Sequence, residues 1–216
     1  VTTIVVVRKG SQACIAADSL TLFGSKKYSA AYKAEPSKIL RVGESWVGLI
    51  GNPAHRQVVE SLFHANPGAA RFDSRQNIFE SFRALHPLLK EQYFLNAKDD
   101  DEPYESIQLD MLIANRHGTF YLSTLRDVYE FSRFWAIGSG CEFALGALHT
   151  LYEQNLDARA IAEGAVRAAC EFDSASALPL ASHAIALDAA KPARGGRKWT
   201  ARVTGKTSTR PSRRSR

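Results

Sequence analysis

The feature that most constrains this fold is the opening run Thr3 to Arg8, TIVVVR, followed at once by Lys9-Gly10-Ser11 and then Gln12 to Ala17, QACIAA. β-branched residues favour extended chain, and a glycine-centred turn between two such runs predicts a hairpin. The first run is apolar at consecutive positions rather than alternate ones. A strand of that kind is buried on both faces, so layers are expected above and below the first sheet.

The rest of the chain supplies those layers. Lys38 to Val42 and Trp46 to Ile50 read as a second strand pair around Gly43-Glu44-Ser45. Asn52 is a candidate N-cap and Pro53 the first position of a helix running to about Ala65, with Val58, Leu62 and Ala65 on one face. Ser74 caps a second helix in which Ile78, Phe82, Leu85 and Leu89 recur at helical spacing, and Pro87 predicts a kink or break. Asp99 to Pro103 reads as a solvated loop. Strands are then expected near Ile107–Asn115, Thr119–Thr124 and Trp135–Ile137, the last ending in Gly138-Ser139-Gly140. Helices from Cys141 to about Gln154 and after the cap Asp157 precede a final strand, Ser182–Leu187. The second of those helices presents Ile161, Ala162, Ala165 and Ala169 inward. Hairpins separated by helix pairs predict an α+β architecture of two packed sheets with helices outside both.

Charge divides the chain. Residues 191–216 hold ten Lys/Arg and no Asp/Glu, whereas residues 1–190 hold 18 basic and 22 acidic residues. We read 1–190 as one domain and 191–216 as a basic tail too poor in apolar residues to fold alone. Ten cations would bind polyanions without specificity, but Trp199 is the tail's one aromatic and no recognition motif accompanies it, so nucleic acid is not the expected partner. Cys14, Cys141 and Cys170 form neither a disulfide framework nor a zinc pattern, and no HExxH-type spacing occurs, so no metal or other cofactor is expected. No apolar run is long enough to span a membrane, and no secretory leader is recognisable. The expectation is a cytoplasmic protein.

TTIVVVRKG, followed by IAADS and later by WAIGSGCEFALGALHTLYEQNLDARAIAEGAV, resembles the proteasome β-type and HslV-like N-terminal-nucleophile peptidases, over about Thr2 to Leu187. Departures from HslV and the basic tail point to the betaproteobacterial proteasome homologue subgroup. The resemblance implies a four-layer αββα sandwich and a threonine endopeptidase working inside stacked rings of identical subunits. It also implies substrates of peptide or unfolded protein, delivered by a separate ATP-dependent unfoldase, since this chain has no Walker A signature. Thr2 matches the nucleophile, Asp18 the carboxylate that orients a catalytic lysine, and Lys38 that lysine. Gly51 matches the oxyanion-binding glycine, Ser139 the serine beside the Thr amine, and Asp173 with Ser176 the supporting D-x-x-S pair.

That chemistry has a physical basis. An α-amino group has a pKa near neutrality and sits within reach of its own residue's hydroxyl, so it can take the proton without a histidine. It works only with a free amine, so residue 1 must be removed; a chain keeping it would be a silent shell subunit. Lys33 competes with Lys38 but lacks the Ile-Leu strand context. Ser174 competes with Ser176, Gly51 could serve only to turn the chain, and Gly138-Ser139-Gly140 could instead hold a phosphate. The pocket beside Thr2 is expected to be lined from near Thr21 and from Leu49 to Pro53.

Overall fold

The computed structural model describes residues 2–95 and 104–189. The tail 191–216 and the loop Asp99–Pro103 lie outside the described residues. The chain begins with β1 (Thr3–Lys9) and β2 (Gln12–Ala17), then a short hairpin of β3 (Thr21–Phe23) and β4 (Lys26–Tyr28). β5 (Ile39–Val42) and β6 (Ser45–Ile50) lead into α1 (Ala54–Ala65) and α2 (Arg75–Glu91). β7 (Asp110–Asn115), β8 (Gly118–Leu122), β9 (Val128–Phe131) and β10 (Phe134–Gly138) follow, then α3 (Cys141–Tyr152), α4 (Ala158–Phe172) and β11 (Ala181–Ala186).

One sheet has the order β10-β1-β2-β11 and the other β5-β6-β7-β8-β9, with antiparallel pairing throughout. The opening hairpin pairs Val6 with Ile15, and Gly10 takes a positive φ of 60° at its turn. As the consecutive apolar residues require, β1 is buried on both faces. Ile4 and Val6 point, with Ile15 and Ala17, into the core between the sheets, where they meet Leu112 and Ala114 of β7. Val5 and Val7 point the other way, onto Leu148 of α3 and Ile161, Ala165 and Val166 of α4. α1 and α2 cover the outer face of the second sheet through Leu62, Phe63, Ile78, Phe82 and Leu89. The result is the expected αββα layering.

The two sheets approach closely at Gly48 of β6. A Cβ there would sit 2.7 Å from Ile4 Cγ2, so β6 can lie against β1 only without a side chain at that position.

The structure departs from the sequence reading in several places. The buried stripe of α1 is Val59, Leu62 and Phe63; Val58 is half-buried and Ala65 exposed. The Phe63 ring sets this rotation, meeting the Phe72 and Phe82 rings at 5.6 and 6.0 Å. Asn52 does receive the Ala54 N–H (3.0 Å), but Pro53 stands just before the helix rather than inside it. α2 runs through Pro87 without a break. Pro87 and Arg83 are both exposed, so the Arg83 carbonyl that loses its helical partner can turn to water. β9 and the β3–β4 hairpin were not anticipated. β4, KKY, is exposed throughout and carries no buried-face pattern. Ile107 and Leu109 are buried but precede β7 rather than extending it.

Candidate active site

Strand register brings the candidate residues together. Ile4 pairs with Ala17 and Thr3 with Gly138, so the start of β1 is flanked by Asp18 on one side and Ser139 on the other. Thr2 precedes β1 and is almost fully buried, at 6% exposed. Asp18 is fully buried, and every contact it makes is a donor aimed at a carboxylate. Its Oδ1 accepts from Thr3 N–H (2.9 Å) and Lys38 Nζ (2.7 Å), its Oδ2 from Leu20 N–H (3.0 Å) and Ala177 N–H (3.2 Å). Lys38 stands just before β5 in the other sheet, so this ion pair ties the two sheets together beside Thr2. Burial lowers the Lys38 pKa, and the Asp18 charge works against that lowering.

On the other flank, Ser139 Oγ accepts from Thr2 N–H (3.3 Å) and donates to Asp173 Oδ2 (2.7 Å). Asp173, the residue after α4, also receives the Ser176 hydroxyl (2.7 Å) and the Ala175 N–H (3.1 Å). Ser176 has one proton and gives it to Asp173, so the Thr3 hydroxyl 2.7 Å away is the donor in their contact. Burial raises the Asp173 pKa, but the Ser139, Ser176 and Ala175 hydrogen bonds together outweigh it and hold the carboxyl below its ordinary value.

Six of the seven candidates, Thr2, Asp18, Lys38, Ser139, Asp173 and Ser176, thus flank the start of β1 in connected hydrogen bonds. Gly51 lies across from them. Thr2, Lys38 and Gly51 line one cleft of about 300 Å³, which Thr21, Leu22 and the stretch from Leu49 to Pro53 also border. Gly51 has φ +111°, so the turn needs glycine whatever its N–H binds. Lys33 borders the same cleft, but its ammonium reaches Ser19 O and Thr21 Oγ1 rather than Asp18. Ser174 is exposed, whereas Ser176 is buried. Sequence reasoning overlooked Thr3, whose hydroxyl completes the path to Ser176. A second threonine in a strand-forming run carries no signal of its own.

The Gly138-Ser139-Gly140 turn is shaped by the chain it wraps. A Cβ on Gly138, at φ +101°, would lie 1.9 Å from the Thr2 carbonyl oxygen, and one on Gly140 would lie 2.3 Å from Thr3 Oγ1. The Ser139 hydroxyl that a phosphate would need is given to the negatively charged Asp173 carboxylate (2.7 Å). Gly138→Ala is therefore expected to displace Thr2, costing about 3 kcal/mol or more of stability and most of any activity. Thermal unfolding checks the first effect; a Tm within about 2 °C of the parent would refute the clash.

Two of the three thiols are poor nucleophiles at neutral pH: burial pushes Cys14 up to about 12 and Cys170 up to about 11. Among the described residues no group of three or more His, Cys, Asp or Glu could hold a metal ion, and no helix is long and apolar enough to cross a membrane.

A four-layer αββα sandwich with a threonine at the start of its first strand, beside a buried Asp–Lys pair, has the architecture of the N-terminal-nucleophile hydrolases. The comparisons with known proteins agree. The ATP-dependent protease subunit HslV of Bartonella quintana (strain Toulouse) is 31% identical over 174 residues, covering 79% of this chain and 82% of its own. Two structures of Thiobacillus denitrificans BPH, alone and in complex with epoxomicin, superpose with a TM-score of 0.78. Their identities are 40% and 39%, over 86% and 87% of this chain and 98% and 100% of theirs. Eukaryotic HslV from Trypanosoma brucei, at 20% identity and a TM-score of 0.64 over 85% of this chain and 99% of its own, shares the fold. No family model matches the sequence. The chain belongs to the HslV-like, proteasome-type peptidase family, and the likeness to BPH agrees with the subgroup suggested by its sequence.

Proposed function

We propose that this chain is a threonine endopeptidase whose nucleophile is Thr2 Oγ1, active once residue 1 has been removed. The observation that carries the proposal is the placement of Thr2 between two supports: the Asp18–Lys38 pair (2.7 Å) and the Ser139–Asp173–Ser176 chain that meets its nitrogen. The freed α-amino group takes the hydroxyl proton as Oγ1 attacks the peptide carbonyl, and the C–O bond forms. The nearby Lys38 charge disfavours a second positive charge and so keeps the amine unprotonated. The Gly51 N–H faces the developing oxyanion, where a preorganised donor is worth about 3 kcal/mol. The C–N bond then breaks, the leaving amine collects the proton, and water enters to hydrolyse the threonyl ester by the same route in reverse. Ser139, held by Asp173, orients the amine.

Family membership further supports action as identical subunits in stacked cytoplasmic rings, fed with unfolded protein by a separate ATP-dependent unfoldase. Epoxomicin tests the chemistry, because an epoxyketone captures both the hydroxyl and the free amine of an N-terminal threonine. A protein that begins at Thr2 and gains the mass of one inhibitor per chain is the expected result. A protein that keeps a residue before Thr2 and gains no mass would make this a silent shell subunit.

A further inference from the structure

The cleft beside Thr2 is mostly apolar, walled by Leu22, Pro36, Leu49, Ile50 and Pro53, yet three cations border it. Two of these are paired to carboxylates. Lys38 holds Asp18 at 2.7 Å, and Arg56 holds Glu60 at 2.8 Å and Glu35 at 3.6 Å. Lys33 is different. Its Nζ donates to two neutral oxygens, Ser19 O and Thr21 Oγ1, both at 2.8 Å, and among the described residues no carboxylate lies within ion-pair distance of it. An ammonium has three N–H bonds, so one remains after these two contacts. The clamp also fixes the direction of a side chain that would otherwise sample many rotamers. Glu35, on the same wall, is 81% exposed and held by Arg56, and the Asp18 charge acts on Lys33 only from beyond ion-pair distance.

We propose that Lys33 is a specificity-determining residue, selecting substrates in which the residue that supplies the scissile carbonyl carries a side-chain carboxylate. The proposal rests on the peptidase reading of Thr2. A Glu or Asp side chain entering the cleft lays its methylenes on the apolar wall and accepts the remaining Lys33 N–H. Such a charge-assisted bond in a partly desolvated site is stronger than a neutral one. A Lys or Arg side chain would instead bring like charges together.

The test uses peptide coumarin amides that differ only in the residue before the coumarin: Glu, Leu or Lys. These substrates have no free α-carboxylate, so the side chain alone supplies the anion. The quantity read is the ratio of kcat/KM for Glu to that for Leu. Lys33→Met is expected to lower this ratio about tenfold, the worth of a hydrogen bond to a charged group. Lys33→Arg is expected to keep most of it, and Lys33→Glu to shift the preference toward the Lys substrate. A purely structural clamp would slow all three substrates alike and leave the ratio in place across the charge series, and that result overturns the proposal. Should Lys33→Glu fail to fold, the Met and Arg variants still decide. If the parent protein cleaves no substrate and forms no epoxomicin adduct, the peptidase reading itself falls. An adduct with an unmoved ratio refutes the Lys33 proposal alone.

Discussion

Thr2→Ala is expected to abolish peptide hydrolysis, by about 10⁴-fold or more in kcat, while leaving the fold intact. On the proposed mechanism the Thr2 hydroxyl forms the covalent intermediate; of the other hydroxyls lining the cleft, Thr21 Oγ1 accepts from Lys33 and Ser37 Oγ donates to the Ile39 carbonyl. Cys14 and Cys170 hold their protons well above neutral pH. The Thr2 contact with Ser139 is made by its backbone nitrogen, which alanine retains, so this support of the strand start survives the substitution. Thr2→Ser should keep partial activity, since the hydroxyl survives while the β-methyl that restricts its rotamer is lost. Peptide hydrolysis assays alongside thermal unfolding measure both effects. Residual turnover in Thr2→Ala above about a thousandth of the parent would assign the nucleophile elsewhere.

Asp18→Ala is expected to be the most destabilising single change at the site. Removing the carboxylate takes from the Lys38 ammonium, 11% exposed, its Asp18 counter-ion, and leaves three backbone N–H donors without their acceptor. Breaking a buried pair from one side costs about 3–5 kcal/mol, on the order of 10 °C in Tm for a domain of this size. Lys38→Met should cost less, because Asp18 keeps its three backbone donors. The double variant should then be more stable than the sum of the two losses predicts, since methionine removes the charge that Asp18 had balanced. Strict additivity in that cycle would mean that the pair is not coupled.

The same pair gives a pH signature. In Asp18→Asn, Lys38 loses the carboxylate that raises its pKa most, while burial continues to lower it. Between that depressed folded value and the ordinary 10.5, the unfolded chain binds more protons than the folded one. Stability of this variant should therefore rise with pH through that window more steeply than in the parent.

Much of this was legible in the sequence because it depends on local pattern. The doubly apolar β1, the cap at Ser74, the buried stripe from Ile78 to Leu89 and the small inward face of α4 all follow from periodicity and capping. What escaped depends on partners distant in sequence. Phe63 turns α1 because Phe72 and Phe82 wait for it, and neither lies within the helix. β9 forms because Phe120 and Tyr121 of β8 offer an edge to Glu130 and Tyr129, residues with weak alternation of their own. At the site, the match to a known family suggested Asp18, Lys38 and their pairing, but that the pair bridges the two sheets appears only in three dimensions. Thr3 lies in the matched stretch TTIVVVRKG but was assigned no role there, and Lys33 lay outside the matched stretches; the parts both play follow from what stands opposite them.

The supports around Thr2 come from points in the chain separated by more than a hundred residues. Ser139 is 137 positions from Thr2, Ser176 is 173 from Thr3, and Ala177 is 159 from Asp18. Contacts so far apart close late, after the loops between them have been ordered. A partly synthesised chain, lacking the turn at Ser139 and the segment after α4, has a threonine without the environment that would arm it. On the proposed mechanism, latency is then a property of topology, because the supports of Thr2 are complete only when the last helix and strand are in place.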